Sequence, residues 1–157
     1  MSKSLKRVRT ALEAAGLAPD IREMPSETRT AQQAAEAAGC DLDQIAKSII
    51  FRGKASGSAV LFLTAGGNQV DTARASAVAG EPLGKADAAL IRAQTGFAIG
   101  GVAPVGHLTP IRAYLDARLL EFAVIWAAAG TPRHIFPIAP QVLQRLTRAA
   151  TADFLAR

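Results

Sequence analysis

One change of rhythm constrains the fold of this chain more than any other feature. Near Lys47 the spacing of the apolar residues switches from helical to strand-like. Before that point, Leu5, Val8, Leu12 and Ala15 recur three to four residues apart, which predicts a helix capped by Ser4 and closed by Gly16. A short extended stretch, Ile21 to Met24, leads to Pro25. Thr30 and Gln33 form a capping-box pattern that opens a helix over 31–38, stopped by Gly39. Asp41 and Gln44 repeat the signal for a short third helix carrying Leu42, Ile45 and Ala46.

After the switch, Ser48 to Arg52 and Ala59 to Thr64 read as strands joined by a hairpin over 53–57. Helices follow over 72–79 and 86–95, the second with Asp87 as N-cap and Gly96 as stop. The remaining strands are expected at 97–99, 111–113, 122–127 and 135–138, with a short turn at Asp116. A last helix begins at Pro140, a residue suited to a first helical turn, and the segment after Leu146 reads as its end. Helices first, a mixed middle and strands last predict an α+β fold and not an alternating parallel sheet. The length, 157 residues, is that of one domain, here spanning 1–157.

Composition removes whole classes of function. A single cysteine, Cys40, excludes an internal disulfide and a cysteine zinc site, and reads as an inert thiol. The two histidines, His107 and His134, have no acidic or histidine cluster at metal spacing, so neither a metal nor another cofactor is expected. No apolar run reaches eighteen residues, so no membrane span is expected, and the chain reads as soluble and cytoplasmic. Aromatic residues make up 5%, too few for a platform that stacks successive bases. No helix-turn-helix or basic recognition helix emerges, which argues against DNA. The net charge is +5, and since the first fifty residues hold seven charges of each sign, the excess lies after Ile50. That bias favours anionic partners and also serves solubility.

Three features could carry chemistry. Two loops, Gly100-Gly-Val-Ala-Pro-Val-Gly106 and Gly130-Thr-Pro132, combine glycines that admit a ligand to the main chain with prolines that hold its amides and carbonyls in place. Read alone, each is also an ordinary strand connection. Lys47 stands where a capped turn gives way to a strand, a place from which an ammonium could meet a phosphate or carboxylate, or simply be solvated. His107 reads as a base or a polar loop contact, His134 as surface electrostatics, and Thr64 and Asp71 as turn stabilisers.

Taken together, the string Thr30-Ala-Gln-Gln-Ala-Ala-Glu-Ala-Ala-Gly39, then Gln44-Ile-Ala-Lys-Ser-Ile-Ile-Phe51, resembles the opening of the YbaK/ProX family. These are free-standing relatives of the editing domain of bacterial prolyl-tRNA synthetase. Gly100-Gly-Val-Ala-Pro-Val-Gly-His107 is similar to that family's Gly-Gly-x-x-Pro-x-Gly loop, and Ala129-Gly130-Thr-Pro132 stands where the family has its second glycine loop. The resemblance implies an α+β domain with a mixed, partly barrel-like sheet flanked by helices. It implies hydrolysis of the ester between a wrong amino acid and the terminal adenosine of a tRNA, without a metal.

In that reading Lys47 engages the 3′ end and is needed for activity. Gly100, Gly101, Pro104, Gly106 and His107 shape the aminoacyl pocket, together with Gly130, Thr131 and Pro132. Many members carry Gly-Lys-Arg where this chain has Gly130-Thr-Pro-Arg. The Thr-Pro form and His107 place it nearer the branch that clears alanine, cysteine or 2-aminobutyrate from proline tRNA. The implied partners are the aminoacyl-tRNA acceptor end and prolyl-tRNA synthetase, with no membrane and no DNA. A noncatalytic tRNA- or synthetase-binding regulator of the same fold is the alternative.

Overall fold

The switch in period is where a helical opening meets the sheet. The computed structural model describes residues 2–157. Helix α1 (Lys3–Ala14) turns Leu5, Val8 and Leu12 inward, and its N-cap is Ser2, not Ser4. Ser2 is extended and its hydroxyl accepts the Leu5 N–H at 3.1 Å, whereas Ser4 already lies in the first turn. After strand β1 (Arg22–Glu23), helix α2 (Ala31–Ala38) realises both halves of its capping box and ends at Gly39 with φ +68°. The next signal yields only a 3₁₀ turn, Leu42–Gln44. Ile45 is already extended and bridged to Trp126, and Ala46 begins a strand, so tertiary pairing stops the helix before it can propagate.

Strand β2 (Ala46–Gly53) runs antiparallel to β3 (Ala59–Ala65), with Lys47 opposite Thr64. Helix α3 (Thr72–Ala79), strand β4 (Leu83–Lys85) and helix α4 (Ala88–Thr95) follow. The last starts two residues later than the pattern suggests because Asp87 caps it, accepting the Leu90 N–H at 2.8 Å. The expected strand over 97–99 does not form. Gly96 and Gly100, both at positive φ, bracket it, and the Phe97 N–H turns back to Thr95 Oγ1 at 3.1 Å, leaving the Phe97 ring buried in a loop.

Strand β5 (Arg112–Leu115), a 3₁₀ turn (Ala117–Glu121), β6 (Ile125–Ala128), β7 (His134–Ile138) and α5 (Pro140–Thr147) complete the expected order. The segment after Leu146 holds more than a helix end. Arg148, at φ 56°, reverses the chain, β8 (Ala150–Thr151) adds to β5, and Phe154 is fully buried 4.9 Å from the Phe62 ring.

Five strands form a mixed sheet in the order β4-β2-β3-β5-β8, and three form a second sheet, β1-β7-β6. The Ile45–Trp126 bridge joins the two without closing a barrel. Every residue of β3 is buried, as befits a central strand covered on both faces. Leu61 and Leu63 face a core shared with α1 and the second sheet, whereas Val60 and Phe62 face α3 and the C-terminal Phe154. Removing a ring such as Phe62 from that position would cost about 3–5 kcal/mol. A third, smaller cluster under α2 holds Ala34, Ala35, Ile45, Trp126 and Ile135. Among the described residues, no helix is long and apolar enough to cross a membrane.

Candidate functional site

Where the two sheets abut, one flank of β2 is left open. β4 pairs only with Phe51 to Gly53, and the bridge to β6 falls at Ile45. Between them Lys47, Ser48, Ile49 and Ile50 border a cleft of about 520 Å³, closed by the start of α2, by β6 and by the loop around Gly100. Its walls are largely apolar (Ile45, Ile50, Ile91, Val102, Trp126, Ile135), with Thr28, Arg29, Thr30, Gln32, Lys47 and Ser48 as polar groups. An apolar hollow with a few placed polar groups is the usual form of a small-ligand site. The Ser48 hydroxyl is buried and has no hydrogen-bond partner.

Lys47 is half-buried, and its ammonium donates to the Asn68 carbonyl at 2.5 Å. Burial pulls its pKa below the ordinary lysine value, while the Asp116 and Asp43 carboxylates push it back up. Asn68 belongs to the turn that ends β3, and that turn depends on glycine at two places. A Cβ on Gly66 would collide with the Leu42 carbonyl, and one on Gly67 would lie 2.5 Å from Asp43 Oδ1. Asp43 Oδ1 accepts the Gly67 N–H at 2.8 Å, and its Oδ2 accepts Arg118 Nε–H at 3.0 Å. Asp116, 2% exposed, accepts the Ala65 N–H, the Asn68 side-chain amide and the Arg118 N–H at 2.9–3.1 Å. Three donors satisfy a carboxylate that would otherwise be costly to bury.

In the sequence Asp116 reads only as a turn, and neither Asp43 nor Asn68 stands out. Their roles depend on contacts made across 21 to 75 positions of chain. The one hint was a Gly-Gly-Asn turn directly after the strand opposite Lys47.

Of the sequence-predicted residues, Lys47 and Gly100 meet at this cleft. Gly101 backs away from it, and a Cβ there would lie 2.7 Å from the Thr131 carbonyl carbon, so the two glycine loops pack on each other. Pro104, Gly106 and His107 border a different groove of about 860 Å³, between α1, β5 and α5. Gly106 sits against the α1 backbone and its carbonyl accepts Arg7 Nε–H at 3.3 Å. His107 Nε2–H donates to the Ala103 carbonyl at 2.7 Å with the ring edge-on to Phe97. Its pKa is lowered, chiefly by burial and secondly, against the help of the Ala103 carbonyl, by the Arg7 charge, so the ring is neutral at pH 7.

Gly130, Thr131 and Pro132 border neither hollow. Gly130, at φ +98°, lies against Phe97 and the Ser4 carbonyl. Thr131 Oγ1 lies 2.6 Å from His134 Nδ1 in a hydrogen bond, which ties down a histidine expected to serve only the surface. The Pro132 carbonyl accepts the Thr28 N–H at 2.6 Å and the Thr28 hydroxyl at 3.0 Å, so this loop anchors a residue that does line the cleft.

Burial holds the Cys40 thiol above its usual pKa, so it is not a thiolate at neutral pH. Thr64 donates to the Phe62 carbonyl and Asp71 caps α3. Among the described residues, no group of three or more His, Cys, Asp or Glu could hold a metal ion.

Known proteins share this architecture. The family model of the aminoacyl-tRNA editing domain matches residues 25–146. The uncharacterized protein YwhH of Bacillus subtilis (strain 168) is 31% identical over 144 residues, covering 92% of this chain and 91% of that protein. A crystal structure described as a candidate trans-editing enzyme for prolyl tRNA synthetase superposes with a TM-score of 0.92 at 46% identity, over 100% of this chain and 99% of that one. The structure of hypothetical protein APE2540 superposes with a TM-score of 0.87 at 27% identity, over 96% and 99%.

Proposed function

Because the chain belongs to the aminoacyl-tRNA editing domain family, we propose that it is a trans-editing deacylase. Its substrate is a tRNA carrying a small wrong amino acid (alanine, cysteine or 2-aminobutyrate), with proline tRNA as the tRNA. The observation that carries this reading is a half-buried lysine in the wall of an apolar cleft of about 520 Å³. That volume falls within the roughly 300–1,000 Å³ of small-ligand sites, enough for a terminal adenosine and a short side chain. The structure described as a candidate trans-editing enzyme supports the choice of proline tRNA and of prolyl-tRNA synthetase as the upstream partner. The working compartment is then the cytoplasm, where charged tRNA is used.

An aminoacyl ester is already activated, so positioning and polarisation suffice and the step needs no metal. Water adds to the ester carbonyl carbon, the bond to the ribose oxygen breaks, and one proton from water ends on that oxygen. The neighbouring ribose hydroxyl assists, and the amino acid leaves as its carboxylate, water's second proton passing to solvent. Lys47 stays protonated and clamps the terminal phosphate or ribose. The Gly100 backbone offers polar contacts to the aminoacyl end. Gly130, Thr131 and Pro132, with Pro104 and Gly106, act from behind by holding the cleft wall.

Selectivity follows from size. One methylene in a hydrophobic pocket is worth about 1–3 kcal/mol, so a synthetase leaks smaller residues that a second site must remove. The test is proline tRNA charged with alanine, cysteine, 2-aminobutyrate or proline, incubated with the protein and its Lys47→Met variant. Loss of the three wrong residues alone, only with lysine present, supports editing. Binding without hydrolysis across the panel would make the protein a regulator instead.

A further inference from the structure

Lys47 does not hold its position unaided. On a β-strand its four-carbon stem could place the ammonium over a wide arc, and fixing it has an entropic cost. One side of that arc is set by the Asn68 carbonyl, which takes one ammonium proton at 2.5 Å and leaves two for a ligand in the cleft. The carbonyl is itself held by a turn with two anchors. Asp116 accepts from both ends of it, the Ala65 N–H at 3.1 Å and the Asn68 side-chain amide at 2.9 Å. Asp43 accepts from its middle, the Gly67 N–H at 2.8 Å. Arg118 joins the anchors, its Nε–H on Asp43 and its backbone N–H on Asp116. The deletion of either glycine's freedom would push this turn off the Leu42–Gln44 segment it rests on.

We propose that Asn68, Asp116 and Asp43 form a positioning device for Lys47, in which two carboxylates fix the turn over residues 65–68 so that one backbone carbonyl aims the ammonium at the cleft. None of the three borders the cleft. They act through the lysine and not on the substrate. The negative charge of the two aspartates also offsets the loss of hydration around a half-buried ammonium, in keeping with the upward pull both exert on it. This inference rests on Lys47 being the group that meets the ligand.

The first measurement needs no tRNA. In the full-length protein, hydrogen bonding and partial burial should slow exchange of the Lys47 ammonium protons enough to give a side-chain nitrogen–proton signal in NMR, assigned by its loss in Lys47→Met. Asn68→Ala removes the amide bond to Asp116 while leaving the carbonyl, and should broaden that signal beyond detection. Asp43→Ala, at a partly exposed position that keeps the question answerable should Asn68→Ala fold poorly, should weaken it in the same direction.

The second measurement is binding of a stable analogue, adenosine 5′-phosphate joined to alanine through a 3′-amide. Asn68→Ala should weaken it roughly tenfold, about 1.4 kcal/mol, in the lysine background and leave it unchanged in the Lys47→Met background. A purely structural role would weaken both backgrounds alike. An unaltered Lys47 signal in a folded Asn68→Ala protein, or equal losses in the two backgrounds, overturns the proposal. A protein that passes both measurements and hydrolyses no aminoacyl-tRNA overturns the deacylase reading and leaves the device standing.

Discussion

The His107 groove and the Lys47 cleft differ in the opposite sense to their size. The groove beside His107, about 860 Å³, is larger than the cleft beside Lys47, about 520 Å³. Yet four polar side chains along the larger one are already engaged, with Tyr114 and Arg148 beside them. His107 donates to Ala103, Arg112 to the Ala79 carbonyl and Glu81, Thr109 to Gln94, and Thr147 to Leu143. The smaller one keeps a hydroxyl with no partner and an ammonium with one. Polar groups that are already satisfied have little to offer a ligand beyond shape. A cleft that retains unspent donors beside apolar walls binds with direction.

The sharpest way to break this comparison is Lys47→Met. Deacylation should fall on the order of 10²–10³-fold, the scale of losing one well-placed electrostatic donor. Single-turnover kinetics read the effect, and circular dichroism should show the fold unchanged. A near-normal rate would leave the cleft without its defining group.

Gly101→Ala tests whether the two glycine loops hold the cleft wall. The added methyl would meet Thr131 backbone atoms at 2.7–3.0 Å, which the chain cannot easily yield, so we expect about 1–3 kcal/mol of destabilisation in a denaturant titration. Activity should fall with it as Gly100 shifts. Unchanged stability would show that the loops move independently.

His107 separates stability from chemistry. Its folded-state pKa is depressed below 6.5, so the unfolded chain binds the proton more readily. Stability is therefore fully present above about 6.5 and is lost as pH falls from there toward the folded value. The urea midpoint should drop between pH 7.5 and 5.5, and drop less in His107→Gln. At pH 7.5 the variant should keep its deacylation rate per folded molecule; loss of that rate would move His107 into the chemistry.

The smallest effect expected is that of salt. An acceptor-end footprint with two to four phosphate contacts predicts a slope of log K against log salt of only about −1.5 to −3.5. A slope near −8 would require a basic surface far wider than the cleft mouth.

The helices were legible because their signals are local. The Thr30–Gln33 capping box, Gly39 at φ +68° and Asp87 as a cap all operate within four residues, and all formed. Phe97 misled because an apolar triplet reads as a strand whether its N–H goes to a neighbouring strand or, as here, back to Thr95. The segment after Leu146 looked empty because β8 exists only by virtue of β5, its partner more than thirty positions earlier. Lys47 was visible as a lysine where a capped turn gives way to a strand. Asp116 was not, since an aspartate before a turn has the same local pattern whether it faces water or, at 2% exposure, ties a distant loop.

Local pattern thus settled the α+β class and the main helices, and marked the lysine at the change of period, because capping and periodicity are decided within a few residues. Tertiary structure alone settled which glycine loop faces the lysine and which backs it. It also brought Asn68, Asp43 and Asp116 to the ammonium. The reason is physical: a cleft arises where one strand flank stays unpaired between two sheets, and the sequence of that flank is the same whether or not a neighbour covers it.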